Sequence, residues 1–189
     1  MKTLSTFMIL FILGMSWSCN SQTESSTSAK TEKPRTTIQE AAFFGNLKEI
    51  NKHISSKSNL NEKDAYGSTP LHIAITFNKT DVALALIEAD VDLTLTSADG
   101  STPLHSAAFF GRTEVVKALI KKGVDINAKN SYGSTALETV SGPFEQMKPI
   151  YDQLSKDLGP MGFSLNYDKL QNARKEIATI LEQATANQN

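Results

Sequence analysis

A period of 33 residues runs through the middle of this chain, and few architectures can accommodate it. Asp64-Ala65-Tyr66-Gly67-Ser68-Thr69-Pro70-Leu71-His72 returns as Ser97-Ala98-Asp99-Gly100-Ser101-Thr102-Pro103-Leu104-His105. A third copy opens at the same spacing with Ser131-Tyr132-Gly133-Ser134-Thr135-Ala136-Leu137. The rest of each unit keeps register, with Val91-Asp92-Leu93-Thr94 over Val124-Asp125-Ile126-Asn127 and Ile87 over Ile120. A fixed period of this length marks stacked supersecondary units, each supported by its neighbours.

Each residue of the repeated core has a mechanical reason. Gly67, Gly100 and Gly133 stand where a hairpin-like turn reverses and positive φ is favoured. Thr69 and Thr102 are placed to N-cap helices whose first residue is Pro70 or Pro103. Leu71 and Leu104 face inward, and Ala74 and Ala107 let helices approach closely. With its Thr-Pro-Leu-His core the unit resembles the ankyrin repeat. That resemblance implies an all-α fold, a solenoid of about four helix-turn-helix repeats joined by short hairpin turns. It also implies that His72 and His105 are structural hydrogen-bonding residues between units, and that binding uses a concave face of hairpin tips and inner helices.

The units fall near 36–66, 67–99, 100–132 and 133–184, and the outer ones depart from the pattern in an orderly way. Thr36 with Gln39 and Thr135 with Glu138 have capping-box spacing, as suits end units. In the first unit Ile38, Ala41 and Ala42 supply the inner helix, while Leu47, Ile50 and Ile54 share a face of the second. His53 is expected as a half-exposed cap residue. The later outer helices draw their core from Val82, Leu84, Leu86 and Ile87, then Val115, Val116, Leu119 and Ile120. In the fourth unit Ile177 matches Val116 at a distance of 61 residues, so 28 residues have been added between inner and outer helices. This helical insert, 143–170, is expected to hold a helix opened by Pro149, striped with Ile150, Tyr151, Leu154 and Leu158, and stopped by Gly159-Pro160. Phe163, Leu165 and Tyr167 alternate before a last helix striped with Leu170, Ala173, Ile177, Ile180 and Leu181. The expected place for this apolar surface is the open end of the stack.

Ahead of the repeats, Met1-Lys2 and the apolar run Phe7 to Met15 read as a signal peptide over 1–18, too short to span a bilayer. Cys19, the sole cysteine, follows at once and resembles the acylated first residue of a bacterial lipoprotein, although Ser16 and Trp17 depart from the usual lipobox. An ordinary secreted protein is the other reading. Residues 19–35 form a Ser/Thr-rich segment too polar to order itself, a tether with a reach of about 20–25 Å. The expected location is the bacterial cell envelope, facing the periplasm or outside, with the membrane engaged through lipidated Cys19.

At 189 residues with 40% apolar content the chain can bury one modest domain. A net charge of −1 offers no basic patch, so nucleic acid is not expected as a partner. No Ser-His-Asp order with supporting motifs, Gly-rich phosphate loop, paired cysteines or zinc-protease motif is present, so no catalytic residue, metal or cofactor is assigned. The candidate protein-binding residues are aromatic: Phe44, Phe77 and Phe110 recur at the period, beside Thr76 and Phe109, with Tyr66, Asp99 and Tyr132 at the hairpin tips. The expected function is a non-catalytic interaction module, a monomer that takes an unidentified protein partner in the groove. Two alternatives are a stabiliser or chaperone-like partner of a periplasmic enzyme, and a small-ligand binder using the insert.

Overall fold

The computed structural model describes residues 32–187, and no strand occurs among them. The predicted signal peptide, Cys19 and the tether up to residue 31 lie outside the described residues. Helices α1 (Ile38–Phe44) and α2 (Leu47–Ser55), α3 (Pro70–Thr76) and α4 (Thr80–Glu88), and α5 (Pro103–Phe109) and α6 (Thr113–Lys121) are successive pairs. α7 (Ala136–Ser141) opens a fourth, whose partner α9 (Tyr167–Ala186) arrives only after α8 (Phe144–Leu158) and a 3₁₀ turn at Gly159–Met161. The inner helices α1, α3, α5 and α7 pack side by side in that order. The outer helices α2, α4, α6 and α9 form a second row behind them.

The period becomes packing through small and branched side chains buried at equivalent places. Ile38, Ala41 and Ala42 of α1 recur as Leu71, Ala74 and Ile75 of α3 and as Leu104, Ala107 and Ala108 of α5. Behind them lie Val82, Ala83, Leu86 and Ile87, then Val115, Val116 and Leu119, then Ile177 and Leu181. Each Leu or Ile so buried contributes about 1.5–3 kcal/mol. Leu84 is not core as expected: it is half-exposed, at the place of exposed Asn51 and Lys117, and Ala83 takes the inward position.

Threonine caps start the inner helices. Thr69 and Thr102 accept from the backbone N–H groups of His72 and His105. Thr135 and Glu138 close the expected capping box, at 3.2 and 2.7 Å. At the first unit the box does not form. Thr37 is the cap there, accepting from Glu40 N, and Gln39 donates instead to Glu62 O. The reason is the missing proline: Thr37 stands where Pro70 and Pro103 stand and can cap for itself. Thr36 is left to offer its carbonyl to His53 Nε2 at 2.8 Å. His53 also meets Ser58 Oγ and is buried, not half-exposed as expected.

The hairpin tips are tied by their own side chains. Asp64 Oδ1 accepts from the N–H groups of Tyr66 and Ser68, and Asn130 Oδ1 from those of Tyr132 and Ser134. Adjacent tips touch, with Ser131 N donating to Asp99 O. That contact needs Gly100, at φ 74°, because a Cβ there would stand 2.5 Å from Ser131 Oγ and 2.9 Å from its backbone nitrogen.

The insert departs from expectation twice. Pro149 lies inside α8, which begins at Phe144 after Pro143. Pro149 and Glu145 are both exposed, so the carbonyl left without a helix partner meets water. More consequentially, the insert does not cover the open end of the stack. It folds back over the inner helices: Tyr151 packs on Phe109 with ring centroids 4.6 Å apart, and Phe163 on Phe110 at 5.8 Å and Phe77 at 6.3 Å. Tyr151 is fully buried, while Ile150, expected in the same stripe, is exposed.

Candidate functional site

The face lined by inner helices and hairpin tips is where a groove would lie, and the insert divides it. Over the third unit it is occupied. Tyr151 donates its hydroxyl to Phe109 O at 2.7 Å and accepts from Arg174 Nη1 at 3.0 Å. Arg174, buried in α9, also donates to Thr139 O and Gly142 O, carbonyls at the C-terminal end of α7, where a cation meets the negative end of the helix dipole. Arg112 treats α3 likewise, donating to Ile75 O at 3.0 Å and Thr76 O at 3.2 Å. Burial brings the Arg112 guanidinium down to about 10, still charged at neutral pH, and pushes the Tyr151 phenol up. Sequence reasoning passed over both arginines. Their signal was a cation placed just before or within an outer helix, which reads as ordinary surface charge.

Over the first two units, beyond the edge where Phe163 meets Phe77, the groove stays open. A cleft of about 550 Å³ lies there, with Phe43, Ile73 and Phe77 from the inner helices on one side and Leu158 and Met161 of the insert on the other. Glu40 and Asp64 are the charged residues along its lining, and Tyr66 and Thr76 border it.

The predicted binding residues therefore separate. Thr76, Phe77 and Tyr66 come together at the cleft, Phe77 half-buried against Phe43 with centroids 4.5 Å apart and Tyr66 83% exposed. Phe110 does not present its ring to the groove: it is buried under Phe163, with Arg112 5.9 Å from its centroid. Phe109 is covered by Tyr151. Phe44 and Tyr132 are exposed but do not line the cleft. Asp99 is part of its turn; burial alone would raise its carboxyl, but hydrogen bonds from Ser97 and Ser101 outweigh this and hold it below the usual range.

The repeated histidines are fully engaged. His72 Nε2 meets Ser101 O at 3.1 Å and His105 Nε2 meets Ser134 O at 2.9 Å, each in the next unit. A carbonyl can only accept, so Nε2 carries the proton and Nδ1 accepts from the Thr69 or Thr102 hydroxyl at 2.8 Å. Among the described residues no group of His, Cys, Asp and Glu could hold a metal ion, and no helix is long and apolar enough to cross a membrane.

Residues 37–130 match the family model for ankyrin repeats in three copies. This is an ankyrin-repeat protein. Comparison with curated proteins finds no match. Ankyrin repeats are protein–protein interaction modules, in general without catalysis. The matched span stops before α7, so the interrupted fourth ankyrin unit and its insert lie beyond it.

Proposed function

We propose that this ankyrin module takes a protein partner in the open part of its groove, over the first two units, while Cys19 holds it as a lipoprotein in a bacterial cell envelope. The observation that carries the binding reading is the division of the groove: the insert fills it over Phe109 and Phe110 and leaves an apolar cleft beside Phe43, Ile73 and Phe77. The tether reading rests on the sole cysteine standing directly after a signal-like segment. Several acyl chains there would give stable attachment, since one alone is marginal. The module acts as a single chain, without chemistry of its own.

One experiment tests both parts in the native host. A photo-crosslinking residue at Thr76 should join the partner in the membrane fraction, whereas the same residue at Lys117, on the exposed side of α6, should not. Cys19→Ala should move the protein to the soluble fraction. Equal crosslinking from both positions would remove the groove from the reading, and a wild-type chain that is soluble and free of lipid by intact mass would remove the anchor.

A further inference from the structure

The cleft has a chemistry as well as a shape. Its floor and walls are apolar, through Phe43, Ile73, Phe77, Leu158 and Met161, but the charged residues lining it, Glu40 and Asp64, are both carboxylates. Glu40 is exposed on α1, and its carboxylate makes no hydrogen bond or ion pair among the described residues. Asp64 spends Oδ1 on the turn, accepting from Tyr66 and Ser68, which leaves Oδ2 without a partner among the described residues. Tyr66 stands on the same rim, 83% exposed, with a ring face available to a cation. Apolar surface flanked by carboxylates that have no cationic partner among the described residues, with an exposed aromatic face beside them, selects for a ligand that is amphipathic and positively charged. The cleft is a trough between a hairpin tip and the end of the insert, open to solvent. A peptide laid in it keeps one face in water, and competition with tryptamine distinguishes a chain from a small amphipathic cation.

Resting on the groove reading above, we propose that the cleft between Tyr66, Glu40 and the insert's Leu158 and Met161 takes a peptide segment of the partner that carries an aromatic or aliphatic anchor with Lys or Arg beside it. The anchor packs among Phe43, Ile73 and Phe77. The cation lies between Glu40 and Asp64 with the Tyr66 ring at its side.

The test offers a random short-peptide display library to the immobilised full chain. Enriched peptides should hold Lys or Arg next to Phe, Trp or Leu well above the unselected library, and a photo-crosslinker at Thr76 should label them. Glu40→Lys should weaken them roughly tenfold, and Glu40→Gln by less. Glu114→Lys, on the exposed side of α6, should change nothing. Melting of each variant separates lost binding from lost fold. Peptides that crosslink at Thr76 without any cationic bias overturn the charge chemistry and leave the cleft reading standing. Peptides that bind but crosslink only elsewhere remove the cleft itself. Tryptamine binding there as tightly as the peptides, or no enrichment over an unrelated protein, overturns the proposal.

Discussion

His72 shows how one side chain joins two units and what that costs in acid. Its neutral ring is held in the Nε2–H tautomer, donating from Nε2 to Ser101 O and accepting at Nδ1 from Thr69. Burial, outweighing the hydrogen bond to Ser101 O, holds its pKa below the ordinary 6.5. The unfolded chain therefore binds a proton at a pH where the folded one does not, and stability falls as pH drops below 6.5. The contribution is complete above that value and is lost as pH falls through the lower folded pKa. Thermal melting should decline as pH falls below 6.5. His72→Gln keeps a donor for Ser101 O without a titrating group, so its melting should lose this part of the slope whatever its absolute stability. An unchanged slope would place the titration elsewhere. Glu49, Glu138 and Asp152, all held below their ordinary carboxylate values, act only at lower pH.

At the scale of elements, the insert is fastened to the stack by a short polar chain: Phe109 O, the Tyr151 hydroxyl and the Arg174 guanidinium, which in turn closes the end of α7. Tyr151→Phe leaves a part-buried carbonyl and one buried arginine donor unpaired, a cost of about 1–3 kcal/mol. Arg174→Met strips the same hydroxyl of its donor and uncaps α7. Because the two share one network, their effects in denaturant unfolding should fail to add, by about 0.5 kcal/mol or more. Additive losses would mean that the two groups hold α8 independently. Little of this was legible in the sequence. The helix itself was, since Tyr151, Leu154 and Leu158 recur on one face, but a stripe says which residues are buried and not against what. The rings of Phe77, Phe109 and Phe110 give Phe163 and Tyr151 aromatic partners at the groove, which no periodicity within the insert can announce.

At the scale of the whole molecule, the 33-residue period made the register of every inner helix readable, down to the positions of Ala41, Ala74 and Ala107. It could not reveal that the chain breaks the rule such stacks obey. In an array of repeats each unit touches only its neighbours, and stability is close to a sum of unit and interface contributions. Here Phe163, which belongs to the fourth unit by sequence, packs on Phe77 in the second and Phe110 in the third. The insert is a strap across non-adjacent units, and Leu158 and Met161 carry it further toward Phe43 in the first. Such a strap couples units that would otherwise open from the ends, so α3 to α9 should unfold together, with α1 and α2 able to open at lower free energy. Native-state hydrogen exchange can read this directly, as one common protection for the amides of α3, α5 and α7. Phe163→Ala should lower the protection of α3 below that of α7, separating the second unit from the fourth, while the folded structure persists. If α3 and α7 lose protection equally, Phe163 contributes only to its own core and the strap does not couple them. If α3 in the unaltered protein already exchanges apart from α7, the array follows the nearest-neighbour rule despite the contact.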